Sequence, residues 1–125
     1  MTKRILIVDD DEAIREVTRV TLEVTAAWTA LTASSGAEGV RVAEAEQPDA
    51  ILLDVMMPDM DGPATIEKLR TNPATRSIPV LFLTAKTQQA HLRQLANLAI
   101  QGVIPKPFNP LDLAMKIRAL LGWSE

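Results

Sequence analysis

Four short apolar runs constrain the fold of this chain more than any other feature: Ile5–Val8, Ala50–Val55, Ile78–Thr84 and Gly102–Pro105. Each is too short for a helix and too continuous for a strand with one wet face. Such runs suit strands covered on both faces, as in a parallel sheet flanked by its crossover helices. A fifth, weaker run, 27–33 (AWTALTA), alternates partly and reads as a strand toward an edge.

Helical patterns fill the gaps. Residues 11–25 place Ile14, Val17, Val20 and Val24 at helical spacing, with Arg15, Glu16, Arg19 and Glu23 on the rest of the surface. Ser35 and Glu38 have capping-box spacing and open a helix running toward Glu46. Asp61 caps one running to about Arg70, and Thr87 one running to about Leu98. Asn109, Pro110 and Asp112 form the start of a last helix that buries Leu113, Ile117, Leu120 and Leu121. Five strands alternating with five helices specify an α/β doubly wound parallel sheet. At 125 residues the chain reads as a single domain, residues 1–125, without internal repeat or linker. Trp123 either packs on the last helix or marks the start of a linker.

The absence of cysteine excludes disulfides, thiolate metal sites and cysteine nucleophiles. A net charge of −3 leaves no basic footprint for direct nucleic-acid binding. No apolar run approaches the roughly 20 residues of a membrane span. The two cations at Lys3 and Arg4 precede an apolar run of only four residues that ends in acids, which is not a signal peptide. The expectation is a soluble, cytoplasmic protein.

The strand ends carry the chemistry. The first ends in Asp9, Asp10 and Asp11, the third at Asp54, the fourth at Thr84 and Lys86, and the fifth at Lys106. In a parallel sheet all of these reach one edge, where ligands bind. Two like charges about 4 Å apart cost roughly 4 kcal/mol at an effective dielectric of about 20. Clustered carboxylates therefore raise a pKa or hold a cation. An oxygen-only donor set points to a hard ion, Mg²⁺ first, which takes one or two carboxylates plus a phosphate oxygen. Taken singly, a strand-end aspartate is more often a helix cap, and "DDD" a solvated helix start; their joint placement on one edge is what chance rarely supplies.

The segments ILIVDDDEAIR, PDAILLDVMMPDMDG, IPVLFLTAK and GVIPKPFNPLDL, in this order and spacing, resemble the receiver domain of two-component response regulators over essentially the whole chain. The resemblance implies a flavodoxin-like (βα)5 fold and Mg²⁺-dependent phosphoryl transfer from a histidine kinase or histidine phosphotransfer protein to an aspartate. Asp54 matches the phosphoacceptor, and Asp9 and Asp10 the acid pair that holds Mg²⁺. The backbone carbonyl of Met56 matches a further metal ligand, Thr84 the hydroxyl that contacts the phosphoryl group, and Lys106 the cation paired with the acceptor. Lys106–Pro107 resembles the family's cis peptide. Asp11 has no family role and is read as a solvated helix residue.

The family pattern also has departures. Val103 stands where receivers usually carry Tyr or Phe, and Ala99 and Ile100 replace a frequent Gly-Ala. Met56 and Lys86 occupy positions that tune phosphate lifetime in the family. His91, the sole histidine, reads as a surface residue, so the phosphodonor is a partner protein. The implied function is a phosphorylation-controlled switch rather than a turnover enzyme. It acts through a protein-binding face of the fourth helix, fifth strand and fifth helix, as a monomer or a phosphorylation-linked dimer. The sequence carries no output domain, so the chain is a stand-alone receiver or one excised from a longer regulator. The competing readings are a phosphorelay intermediate or phosphate sink, a metal-dependent phosphatase, and a pseudo-receiver. A phosphatase using an aspartate nucleophile normally needs a second acid where Met56 stands.

Overall fold

The computed structural model describes residues 2–55, 57, 60–85, 100–106 and 108–123. In chain order these form β1 (Arg4–Val8), α1 (Glu12–Ala26), β2 (Thr29–Ala33), α2 (Gly36–Glu46), β3 (Ala50–Asp54), α3 (Gly62–Thr71), β4 (Val80–Ala85) and β5 (Gly102–Lys106). A 3₁₀ turn, Pro110–Asp112, and a C-terminal helix, Leu113–Leu121, follow. The helix expected over 87–98, with Lys86, His91 and Ala99, lies outside the described residues, as do Met56 and Pro107.

All strand pairs are parallel, in the order β2-β1-β3-β4-β5. The chain winds outward in one direction from β1 to β2 and in the other from β3 to β5. This leaves a crevice at the carboxyl ends of β1 and β3, where such sheets place their ligands. Alternate strand residues serve two cores. Leu6, Val8, Leu53 and Phe82 pack with Ala43 of α2 and with Ile66 and Leu69 of α3. Ile5, Ile7, Leu52, Leu81 and Leu83 pack with Leu22 of α1 and with Leu113 and Ile117 of the C-terminal helix. This two-sided burial is the physical reason for the continuous apolar runs.

The packing face of α1 differs from the valine stripe read in the sequence. Val17, Val20 and Val24 are 51%, 42% and 77% exposed, whereas Thr18 and Leu22 are buried. The Thr18 hydroxyl donates to the Ile14 carbonyl (2.7 Å), so a nominally polar side chain enters the core with its hydrogen bond satisfied within the helix. Leu22 supplies the apolar contact.

The helix starts follow their capping residues. Asp11 accepts from the N–H groups of Ala13 and Ile14, and Asp61 from that of Ala64. Ser35 accepts from the Glu38 N–H, but the Glu38 carboxylate reaches past the cap to the Ser34 N–H (2.5 Å) and hydroxyl (3.0 Å). Those bonds hold its pKa below the ordinary glutamate value. Asn109 caps the 3₁₀ turn, and the α-helix begins only at Leu113. Of the four residues expected to be buried there, Leu113 and Ile117 are; Leu120 is 40% exposed and Leu121 is partly covered.

At the amino edge of the sheet, Trp123 meets Trp28 edge-to-face, with centroids 5.5 Å apart. Lys3 Nζ lies over the Trp123 ring and the Arg118 guanidinium over Trp28. Trp123, two residues past the last helix, is thus part of the packed domain.

Candidate functional site

The register brings the expected residues to one edge. Val8 pairs with Leu53, Asp54 with Leu83, and Ala85 with Lys106. Asp9 and Asp54 therefore stand at neighbouring strand ends, with Thr84 one residue beyond the partner of Asp54. Asp9 is 0% exposed, Asp54 6% and Thr84 1%, while Asp10 is open to solvent. One carboxylate oxygen from each of Asp9, Asp10 and Asp54 lies within 4.8 Å of the other two.

Lys106 ties the acids together. Its Nζ donates to Asp9 Oδ2 and to Asp54 Oδ1, both at 3.2 Å. Burial works against its charge, but the Asp54 and Asp9 carboxylates outweigh that cost and raise its pKa above the ordinary lysine value. Asp9 is fixed on every side. Its N–H donates to the Ala33 carbonyl (3.1 Å), Oδ1 accepts from the Asp11 N–H (2.9 Å), and its own carbonyl accepts from Arg15 Nη1 (2.8 Å).

The turn after β3 is closed by backbone bonds. Val55 N–H donates to the Leu83 carbonyl and Gly62 N–H to the Val55 carbonyl. Gly62 is required by close approach: a Cβ there would lie 3.0 Å from both the Val55 Cα and the Phe82 ring. This contact holds the start of α3 against the residue after Asp54. A cavity of about 410 Å³ opens beside Lys106 between α1 and the segment after β5, lined by Ile14, Val17, Phe108 and Pro110 among others.

The donor set fits a hard divalent cation. Three carboxylates offer only oxygen, two of them buried, with Lys106 as the internal counter-charge among the described residues. The Met56 carbonyl expected as a further ligand lies outside the described residues. Val103, at the usual aromatic position, pairs with Phe82 and packs at the margin of the core beneath α2 and α3.

Two residues do more than the sequence reading gave them. Asp11 both caps α1 and donates its N–H to Asp9, and Arg15, read as helix surface, holds the Asp9 carbonyl. The visible signal for the first was an acid immediately before a helix; the second bond, to a backbone carbonyl, has no sequence signature.

The model of the response regulator receiver domain matches residues 5–118. The chain is 37% identical over all 125 residues to the alkaline phosphatase synthesis transcriptional regulatory protein PhoP of Bacillus subtilis, covering 51% of that protein. It thus spans about half the length of the curated relatives it matches. Among solved structures, the chemotaxis protein CheY4 of Vibrio cholerae superposes with a TM-score of 0.87 at 29% identity, over 96% of this chain and 99% of that one. The receiver domain of the sensor histidine kinase PA1611 from Pseudomonas aeruginosa, described with a magnesium ion coordinated in its active-site cleft, gives 0.85 at 25% identity, over 98% and 99%. With this sheet order and an acid cluster of Asp9, Asp10 and Asp54 that fits the phosphorylation site, the chain belongs to the response regulator receiver domain family.

Proposed function

We propose that Asp54 is the phosphoacceptor of a signalling switch, not of a turnover enzyme, and that residues 1–125 act as one receiver domain. The observation that carries this reading is the shared contact of Lys106 with Asp9 and Asp54 at the mouth of the sheet. An Asp54 oxygen attacks the phosphorus of a partner's phosphohistidine; the new O–P bond forms as the N–P bond breaks, and the imidazole leaves. Burial at a strand end holds the carboxylate in one orientation for in-line approach. Lys106 follows the charge from carboxylate to phosphoryl oxygen, and the Thr84 hydroxyl donates to the arriving group.

Asp9, Asp10, Asp54 and the Met56 carbonyl would hold Mg²⁺. Such an ion would supply positive charge to offset that on the phosphoryl oxygens. The donor is a histidine kinase or histidine phosphotransfer protein in the cytoplasm. Output runs through protein contact at the face of β5, the C-terminal helix and the segment between β4 and β5.

The test is intact mass after incubation with acetyl phosphate, with and without Mg²⁺, beside Asp54→Asn. A Mg²⁺-dependent gain of one phosphoryl group, lost in the variant, is expected. An undiminished gain in Asp54→Asn overturns the assignment.

A further inference from the structure

The backbone of Asp9 is held by partners other than those that meet its carboxylate. Its N–H is bonded to Ala33 at the end of β2, and its carbonyl accepts from Arg15 Nη1 at 2.8 Å. The carboxylate meanwhile faces Lys106 and the acid cluster shared with β3. Among the described residues, Arg15 makes no salt bridge, although Glu16 and Glu38 lie near enough to feel its charge. Glu16 is bonded to Arg19, and Glu38 to Ser34. The guanidinium is therefore spent on a backbone carbonyl, one residue past the end of β1 and one turn into α1. That position matters because Asp9 is the point where the extended strand ends, and rotation of its peptide would swing the carboxylate away from Asp54.

We infer that Arg15 is a positioning residue: by holding the Asp9 carbonyl while the end of β2 holds the Asp9 N–H, it sets the direction of the Asp9 carboxylate and so the metal affinity of the acid cluster. The inference rests on the reading of Asp9, Asp10 and Asp54 as the metal site. Groups that orient a metal ligand typically change affinity by about 10–100-fold when lost. Because Arg15 acts through the backbone, the lower end is expected. Its charge alone would act in the opposite sense, since removing a cation beside three acids favours a bound divalent cation. The direction of the effect therefore separates orientation from electrostatics.

The experiment is a Mg²⁺ titration of the full chain followed by backbone amide NMR shifts at Asp9–Asp11, which also report whether each variant is folded. Arg15→Met keeps the apolar stem and loses the donors; Arg15→Lys keeps a charge and a donor; Asp10→Ala is the control for the metal site itself. The expected result is a Kd raised about 10-fold in Arg15→Met and largely restored in Arg15→Lys, with binding abolished in Asp10→Ala. An unchanged or tighter Kd in Arg15→Met, with binding still lost in Asp10→Ala, overturns the role of Arg15 and leaves the metal site standing. Wild-type affinity in Asp10→Ala overturns both. Should Arg15→Met lack a dispersed spectrum, Arg15→Gln takes its place and the same criteria apply.

Discussion

Lys106 reaches across β4 to place its Nζ 3.2 Å from Asp54 Oδ1, joining two strands that are not neighbours. The contact raises the lysine pKa in the folded state, despite the burial that opposes it. A raised folded pKa stabilises fully below the unfolded value of about 10.4 and is lost as pH climbs through the folded one. Lys106→Met should thus unfold at lower urea than the wild type at pH 7, by about 1–2 kcal/mol, with the gap closing at alkaline pH. Paired urea titrations at pH 7 and pH 11 measure it, and a gap that widens with pH contradicts the pairing.

Asp54 is a stability burden that its role explains. Among the described residues, two buried carboxylates and a third beside them meet one lysine, so acids outnumber cations there. Asp54→Asn should raise stability by about 1 kcal/mol without Mg²⁺, since repulsion of that order is relieved at partly solvated distances. Mg²⁺ should narrow the difference by binding the wild type more tightly. Thermal unfolding of both proteins across a Mg²⁺ series reads both effects.

The rotated packing face of α1 makes a sharp contrast within one helix. Leu22 is fully buried and Val24 is 77% exposed. Leu22→Ala should cost about 2–5 kcal/mol, whereas Val24→Lys should stay within about 0.5 kcal/mol. Chemical denaturation of the pair distinguishes this face from the valine stripe, which gives the reverse order.

Gly62→Ala should destabilise by about 1–3 kcal/mol, the usual range for overpacking a filled core. The neighbours that must give way are the Val55 Cα, which is backbone, and the ring of Phe82, which is fully buried. Because Val55 directly follows Asp54, the same variant should slow phosphorylation by acetyl phosphate. Denaturation and a mass time course measure the two together.

The sheet was legible because two-sided burial leaves runs such as Ile5–Val8 with no polar residue to confuse the pattern. The caps Ser35, Asp61 and Asn109 were legible because capping is local. The face of α1 was not, since hydropathy counts Thr18 as polar while its hydroxyl is satisfied four residues back. Asp9, Asp10 and Asp54 stood out as acids at strand ends, but their meeting with Lys106 spans 97 residues of sequence for Asp9. Topology and the family resemblance supplied that contact, and no periodicity encodes it. The Arg15 bond lay furthest from view, because any residue has a carbonyl and nothing in its identity marks the one that is held.

Trp28 and Trp123 are the only tryptophans in the chain, and they touch each other. Their rings are nearly perpendicular, at 87°, so the coupled transitions of two indoles make a chiral chromophore that exists only while the chain end is docked. It sits at the amino edge, beneath Lys3 and Arg118, at the far end of the strands from Asp54. The molecule thus carries an optical signature of its own closure, separated by the length of the sheet from the carboxylates where its signal is written.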